Sequence, residues 1–135
     1  MKIYFAGSIF GGRNDAELYK ELILHLQKYG TVLTEHVGGK DVQITERDAS
    51  VDIIHDRDME WLLSADVVIA EVSTPSLGVG YEIGRAIEHK KKIICLYRPN
   101  EVKRLSAMIA GSKDIVVKGY ETLDDAKKII DELFG

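Results

Sequence analysis

The chain has 135 residues, of which 45% are hydrophobic and 30% are charged, and its formal net charge is −4. This length predicts a single domain over residues 1–135 with a real hydrophobic core. Lys and Arg number 18 against 22 acidic residues, which leaves no basic excess for duplex nucleic acid, and no apolar run approaches the roughly 18 residues that a membrane span needs. Cys95 is the single cysteine, so an intrachain disulfide is excluded and a cytoplasmic protein is expected.

Hydrophobic periodicity predicts strands that alternate with helices along the chain. The predicted strands are Lys2–Ala6, Thr31–Thr34, Asp66–Val72, Lys92–Tyr97 and Asp114–Lys118. The predicted helices are Glu17–Tyr29, Asp52–Ser64, Tyr81–His89, Arg104–Ala110 and Thr122–Phe134, and the polar stretch Val37–Ser50 is predicted to be a loop. Helical crossovers join parallel strands, so five strands predict a flavodoxin-like doubly wound α/β sandwich with a five-stranded parallel sheet. In such a sheet a ligand binds beyond the carboxyl ends of the strands, here between the first and third strands.

The loop after the first strand is a candidate anion site. Its sequence is Gly7-Ser8-Ile9-Phe10-Gly11-Gly12-Arg13, with three glycines, a hydroxyl and a guanidinium where a strand leads into a helix. Glycine amides approach a phosphate closely, and the N-terminus of the following helix adds positive potential. The loop is neither a Walker A motif nor GxGxxG, so a tight turn that binds no ligand is the alternative.

Small residues surround Glu82 in the segment Thr74–Ala86. This segment predicts Glu82 in the first turn of a helix, where the helix dipole favours a charged carboxylate. A charged carboxylate suits a nucleophile or an anion that stabilises an oxocarbenium ion, and the small residues leave room for a sugar. A glutamate that only caps the helix is the alternative.

A second carboxylate near Glu82 would complete the pair of acids that glycosidic cleavage commonly uses. The charged helix before the third strand offers Asp56, Asp58 and Glu60. Helical periodicity does not choose among the three.

Three further side chains are candidates for the same edge of the sheet. Tyr4 precedes the glycine loop, and its phenol either reaches a carboxylate there or packs in the core. His36 follows the second strand, where it is a candidate for contacting a base. Ser106 is either a hydroxyl that binds an anion or a helix N-cap. The four histidines lack metal-ligand spacing, so no metal site is predicted.

Six segments together resemble the 2′-deoxynucleoside 5′-phosphate N-hydrolases of the nucleoside 2-deoxyribosyltransferase superfamily. They are Tyr4-Phe5-Ala6-Gly7-Ser8-Ile9, Gly11-Gly12-Arg13, Leu33-Thr34-Glu35-His36, Asp58-Met59-Glu60-Trp61, Pro75-Ser76-Leu77-Gly78-Val79-Gly80-Tyr81-Glu82 and Leu105-Ser106-Ala107-Met108. The resemblance covers nearly the whole chain in order. It implies a homodimer of flavodoxin-like subunits that hydrolyses deoxynucleoside monophosphates to the free base and 2-deoxyribose 5-phosphate, without a metal or an organic cofactor.

The resemblance also implies roles for individual residues. Glu82 matches the family's nucleophile, Tyr4 the phenol that orients it, and Asp58 the acid that assists departure of the base. Ser106 matches a serine that is donated across the dimer interface. The implied substrate contacts are Gly7, Ser8, Ile9, Phe10, Gly11, Gly12, Arg13, His36, Ser76, Gly78, Ser106, Ala107 and Met108.

One departure from the family pattern concerns the phosphate loop, because the family carries arginine where this chain has Phe10. Arg13 remains in the same loop. The change at Phe10 favours one alternative, a nucleoside 2-deoxyribosyltransferase that acts on unphosphorylated deoxynucleosides, whereas the serines at the phosphate positions argue against it. A nucleotide-binding module without catalysis is a second alternative of a different class. An FMN electron carrier is a weaker alternative, since no aromatic pair for the flavin ring is evident.

Overall fold

A computed structural model describes residues 1–9, 15–38, 50–101 and 104–135. The strands are β1 (Lys2–Ala6), β2 (Thr31–Val32), β3 (Val67–Glu71), β4 (Lys92–Tyr97) and β5 (Ile115–Gly119). The helices are α1 (Ala16–Leu26), α2 (Val51–Ser64), α3 (Leu77–Glu88), α4 (Ala107–Ala110) and α5 (Leu123–Phe134), together with a 3₁₀ helix at Glu35–Gly38. No helix among these is long and apolar enough to cross a membrane.

The five strands form one sheet in the order β2-β1-β3-β4-β5, and every neighbouring pair is parallel. This order confirms the predicted flavodoxin-like α/β fold. It reverses between β1 and β3, so their carboxyl ends at Ala6 and Glu71 flank the crevice where ligands bind in such sheets.

Alternation along the strands sends neighbouring side chains to opposite faces of the sheet. Ile3 and Phe5 of β1 pack with α1 and α5, whereas Tyr4 and Ala6 pack with α2 and α3. All five residues of β3 are buried, as expected for a central parallel strand. The sheet therefore has one core on each face.

The start of α3 differs from the prediction. The helix begins at Leu77 rather than Tyr81, because the Ser76 side chain caps it by accepting a hydrogen bond from the Val79 amide at 3.2 Å. Glu82 is therefore the sixth residue of the helix and lies in its second turn. The prediction of a first-turn carboxylate at the positive end of the dipole was wrong.

The bounds of other strands and helices differ from the prediction by a few residues. β2 has two residues rather than four, and α4 has four residues because it starts only at its cap, Ser106. The predicted loop Val37–Ser50 begins inside the 3₁₀ helix, and its residues 39–49 lie outside the described part of the chain.

Candidate active site

Tyr4 brings a phenol to Glu82 from the middle of β1. Its side chain is 1% exposed and hydrogen-bonds to Glu82. Burial raises the pKa of Tyr4 far above its usual value, and the negative charges of Glu82 and Asp58 raise it further. The phenol is therefore protonated at neutral pH and donates its hydrogen bond to the Glu82 carboxylate.

Asp58 is the carboxylate of α2 that reaches the same place. Asp56 and Glu60 are exposed, whereas Asp58 is partly buried and lines a cleft together with Tyr4 and Glu82. This placement distinguishes it from the other two candidates of the sequence.

Arg57 fixes the Asp58 carboxylate. Its Nε and Nη2 atoms donate to the Asp58 Oδ1 atom at 3.0 and 2.9 Å. The guanidinium carbon also lies 5.0 Å from the ring centroid of Trp61, a cation–π distance. The Trp61 ring, one turn further along α2, thus packs against the Arg57 guanidinium. Two charge-assisted hydrogen bonds and a ring contact leave the guanidinium little freedom.

The cleft around these groups is narrow, with a volume of about 20 Å³. It is lined by Tyr4, Phe5, Ala6, Gly7, Ile9, Thr34, Val37, Asp58 and Glu82. A volume of this size holds about one water molecule, so only the reacting atoms of a substrate would enter it.

Thr34 and Val37 belong to this cleft, and the sequence analysis assigned neither of them to a site. The Thr34 hydroxyl accepts from the Phe5 amide at 2.8 Å and donates to the Phe5 carbonyl at 2.6 Å. This pair of bonds replaces a continued β2 ladder and holds the 3₁₀ helix against β1. The sequence did carry a signal for Thr34, because this residue lies at the carboxyl end of a predicted parallel strand, where ligand sites form in such sheets. His36 has its backbone in this 3₁₀ helix.

Only the start of the predicted anion loop is described. Gly7 has a packing reason to be glycine, since an added Cβ atom would lie 2.9 Å from the Tyr19 ring. The Ser8 side chain is fully buried, and its hydroxyl has no hydrogen-bond partner among the described residues. Ile9 is partly buried, packs against the core between the sheet and helices α1 and α5, and also lines the cleft. The remaining loop residues of the prediction, Phe10, Gly11, Gly12 and Arg13, lie outside the described residues.

A larger groove lies beside α3, separate from the cleft, with a volume of about 770 Å³. It is lined by Val72, Ser73, Thr74, Pro75, Ser76, Leu77, Val79, Gly80, Ile83, Glu101, Arg104, Leu105, Ser106, Met108 and Ile109. The groove has the size of a ligand site, but Glu82, Asp58 and Tyr4 do not line it. The phenol and both carboxylates meet instead at the narrow cleft.

Ser106 lines the groove and does not line the cleft. Its hydroxyl accepts from the Met108 amide at 3.3 Å, which makes it the N-cap of α4. Ala107 is exposed, and 82% of Met108 is exposed. These three residues therefore do not line the cleft that contains Glu82. Gly78, also an expected contact, lies exposed in the first turn of α3.

A buried polar cluster on the opposite face of the sheet was missed by the sequence analysis. Glu71, at the end of β3, is fully buried and accepts hydrogen bonds from the Ser73 amide at 2.7 Å, the Ser73 hydroxyl at 3.0 Å and the Tyr120 hydroxyl. Burial raises the pKa of Glu71, although these donors and Arg98 act in the other direction. The same burial raises the pKa of Tyr120.

Arg98 links this cluster to the start of α1. Its Nη1 and Nη2 atoms donate to the two carboxylate oxygens of Asp15 at 2.9 and 2.6 Å, and its Nε atom donates to the Ser73 hydroxyl at 3.2 Å. Burial lowers the pKa of Arg98, but the Asp15 hydrogen bonds and the charges of Glu71 and Asp15 outweigh it and raise the pKa overall. The guanidinium is therefore a permanent cation. It connects residues that follow β1, β3 and β4 at the carboxyl edge of the sheet.

Metal chemistry has no evident donor set in the described part of the chain. No group of three or more His, Cys, Asp or Glu side chains there is arranged to hold a metal ion.

A profile of the family described as nucleoside 2-deoxyribosyltransferase matches residues 3–128. The chain belongs to this family. A protein of Nematostella vectensis, provisionally named 2′-deoxynucleoside 5′-phosphate N-hydrolase 1, is 59% identical over 128 residues, which are 91% of this chain and 87% of that protein. The 5-hydroxymethyl-dUMP N-hydrolase of Tetraodon nigroviridis is 49% identical over 143 aligned residues, covering 100% of this chain and 98% of its own.

The fold of this nucleoside 2-deoxyribosyltransferase family member is also found in a solved structure. The CMP N-glycosidase of Clostridium botulinum superposes with a TM-score of 0.71 over 98% of this chain and 99% of its own, at 21% sequence identity. The resemblance inferred from the six sequence segments is thus confirmed at the level of the family.

Proposed function

We propose that the chain hydrolyses the N-glycosidic bond of 2′-deoxynucleoside 5′-monophosphates, releasing the free base and 2-deoxyribose 5-phosphate, with Glu82 as the nucleophile. The observation that carries the proposal is the hydrogen bond from the buried Tyr4 phenol to Glu82, with Asp58 in the same cleft. The names of the two relatives described above support the reaction class and the substrate class.

The phenol and the protein surroundings prepare Glu82 for attack at a sugar carbon. The hydrogen bond that Tyr4 donates orients the carboxylate, and partial burial strengthens the attraction of the carboxylate to a developing positive charge. Glu82 attacks C1′ as the bond to the base breaks through an oxocarbenium-like transition state, and a covalent deoxyribosyl intermediate results. A 2′-hydroxyl would withdraw electrons from that cation, so deoxy substrates react faster than ribo substrates.

Asp58 serves both halves of the reaction. It first donates a proton to the base as the bond between C1′ and the base breaks, and as a carboxylate it then accepts a proton from the water that attacks C1′ and releases Glu82. Arg57 keeps the carboxylate of Asp58 directed into the cleft by its two hydrogen bonds to Oδ1.

The phosphate binds at the loop after β1, and this contact contributes to catalysis. Energy from binding the remote phosphate orients the sugar at Glu82 and lowers the barrier at C1′. The fully buried Ser8 hydroxyl, for which the described residues offer no hydrogen-bond partner, supports an anion there.

A homodimer completes the site in this proposal, with Ser106 reaching the cleft of the other subunit. Three observations support it: Ser106 lies away from its own cleft, Leu77 beside the groove is 97% exposed, and an added Cβ atom at Gly80 or Gly84 of α3 would meet nothing within 4 Å. Glycine inside a helix costs roughly 0.5–1 kcal/mol relative to alanine. Two glycines without a packing reason in one subunit indicate a close approach of another surface to α3.

The function is tested by following base release from each deoxynucleoside 5′-monophosphate and from its unphosphorylated counterpart, with and without a second free base. Release from monophosphates only is the expected result, and Glu82→Gln abolishes it. Base exchange on unphosphorylated nucleosides would instead identify a transferase. Binding without release from any substrate would identify a nucleotide-binding module, and full activity of the Glu82→Gln variant would exclude the mechanism.

The shared site is tested by mixing two inactive variants, Glu82→Gln and Ser106→Ala, after partial unfolding and reassociation. Half of the dimers are then mixed, and each mixed dimer has one site with both residues intact, so about a quarter of wild-type activity returns. If Ser106 served the cleft of its own subunit, the mixture would stay inactive. Light scattering establishes the dimer independently.

A further inference from the structure

A chain of hydrogen bonds on the surface joins α2 to α3. The Arg85 Nη1 atom donates to the Tyr81 hydroxyl oxygen at 2.7 Å, and this oxygen lies 2.9 Å from the His55 Nε2 atom. The His55 Nδ1 atom in turn lies 3.0 Å from a carboxylate oxygen of Asp56. His55 belongs to α2 and Tyr81 to α3, so the hydrogen bond between them crosses from one helix to the other.

The donors of this chain all point the same way. The Asp56 carboxylate only accepts, so the neutral His55 ring donates from Nδ1 and keeps Nε2 as the acceptor for the Tyr81 proton. Each bond in such a chain polarises the next one. The His55 and Tyr81 rings also lie 5.7 Å apart, and the Arg85 guanidinium carbon lies 5.6 Å from the Tyr81 ring centroid. These contacts give the link a defined geometry although both rings are half-exposed.

The link is close in sequence to both carboxylates of the cleft. Tyr81 directly precedes Glu82, and His55 lies three residues before Asp58, about one helical turn. Both carboxylates line the cleft, and the charges of both act on the Tyr4 phenol. A change in the spacing of α2 and α3 at the link therefore changes the separation of the two carboxylates.

A second link joins the same two helices at their other ends. The Lys91 Nζ atom donates to the carbonyl oxygens of Leu63 at 2.6 Å and Ala65 at 2.9 Å. Leu63 lies in the last turn of α2, and Lys91 follows the end of α3. At 1.5 Å per residue, Leu63 is about 7 Å further along α2 than Asp58. This second link therefore stabilises the packing of the helices at a distance from the carboxylates.

We propose that Tyr81 and His55 are positioning residues: by joining α2 to α3, they set the separation of the two cleft carboxylates. The inference rests on the proposed function. In glycosidic cleavage through a covalent intermediate the two carboxyl groups lie about 5–5.5 Å apart, because one attacks C1′ while the other serves the base and then the water. A wider gap removes one group from its reacting atom. The spacing therefore controls the chemical steps rather than the binding of substrate.

The test compares Y81F, H55A and the double variant Y81F/H55A with the wild type. Y81F removes the hydroxyl at the centre of the chain and keeps the ring, and H55A removes the acceptor on α2. K91M is the matched control, because it removes the other link between the same two helices. Base release from the monophosphate that the wild type cleaves fastest gives kcat and KM, and thermal melts followed by circular dichroism give stability.

We expect kcat to fall about threefold to tenfold in Y81F and in H55A, with KM within about twofold of wild type, since each variant loses one cross-helix hydrogen bond. The double variant matches the single variants, because both changes break the same bond. H55Q restores kcat to within about twofold of wild type, since its side-chain carbonyl accepts the Tyr81 proton. K91M melts at a lower temperature than the wild type and keeps its kcat.

A second readout needs no turnover. The Tyr4 hydroxyl proton is buried and is donated to Glu82, so it gives a protected NMR signal that is identified by its loss in Y4F. This signal shifts in Y81F and in H55A, because α3 carries Glu82 and changes its position relative to β1. It stays in place in K91M.

Three results would overturn the inference: wild-type kcat in folded Y81F and H55A, effects that multiply in the double variant, or an equal loss of kcat in K91M. If Y81F does not fold, H55A and its rescue by H55Q give the same decision. Failure of the proposed function has a different signature, because the wild type then releases no base from any monophosphate. In that case an unchanged Tyr4 signal in Y81F overturns the inference, and a shift confined to Y81F and H55A supports it.

Discussion

Replacing Tyr4 by phenylalanine removes one hydrogen bond and almost nothing else. The ring stays in a core position that is 1% exposed, so its packing against α2 and α3 is retained. A hydrogen bond to a charged group contributes about 1.5–3 kcal/mol. Since each 1.36 kcal/mol corresponds to a factor of ten in rate, kcat for monophosphate hydrolysis falls about tenfold to 150-fold.

The assay is steady-state base release by chromatography, with Tyr29→Phe as the control. Tyr29 also donates its hydroxyl to a carboxylate, that of Asp131, but on the α1–α5 side of the molecule, so this variant keeps wild-type kcat. The raised pKa of Tyr4 adds a second readout, because no loss of activity from ionisation of Tyr4 is expected on the alkaline side up to about pH 10. A folded Tyr4→Phe variant that keeps more than half of wild-type kcat would refute the assigned role.

Three further predictions concern stability and reactivity. His25 and Tyr29 hydrogen-bond to Asp131 and hold its pKa below the usual value, so Asp131→Asn lowers the melting temperature at neutral pH, and this difference from wild type shrinks as the pH falls through the folded pKa. Glu71 has a raised pKa, so its contribution to stability is greatest when it is protonated and is lost as the pH rises. The melting temperature of the wild type is therefore expected to fall between about pH 5 and 8, and that of Glu71→Gln to fall less. Equal slopes of melting temperature against pH for the two proteins would contradict this. Burial and the charge of Glu71 raise the pKa of Cys95 to about 12, so mass spectrometry detects alkylation by iodoacetamide at about pH 8 only after unfolding, and labelling of the native protein would contradict its burial.

The sequence predicted the fold because each of its signals is local. The buried strand Val67–Glu71 is a continuous apolar run with a terminal acid, and the order of strands and helices determines the parallel sheet. Parallel strands end at a common edge, so Tyr4 and the residues after β1 were expected near that edge; of these, Tyr4, Gly7 and Ile9 line the cleft, and residues 10–13 lie outside the described part of the chain. Periodicity did not select Asp58, because three acids of one helix satisfy a helical pattern, and only the packing of α2 against β1 and α3 distinguishes them.

Two features could not be predicted: the start of α3, which contains weak helix formers, and the Arg98–Asp15 pair, which joins distant parts of the chain. Gly78 and Gly80 lower the helix propensity of the first turn of α3, so the segment was assigned to a loop although Ser76 carried a cap signal. The Arg98–Asp15 pair joins residues 83 positions apart, and no spacing rule indicates such a contact. Partners of this kind follow from the tertiary fold alone.

The alternation of side chains along the central strands makes strand register a condition for activity. Tyr4 faces α2 and α3, while Glu71 on the neighbouring strand faces α1 and α5, and β1 pairs Tyr4 with Val68. A slip of one residue during folding would exchange the faces of a whole strand. A slipped β1 would remove the phenol from Glu82, and a slipped β3 would force a carboxylate into an apolar layer without its donors. In the mechanism proposed above, a chain with a slipped strand is therefore both inactive and unstable, so removal of unstable chains also removes the inactive ones.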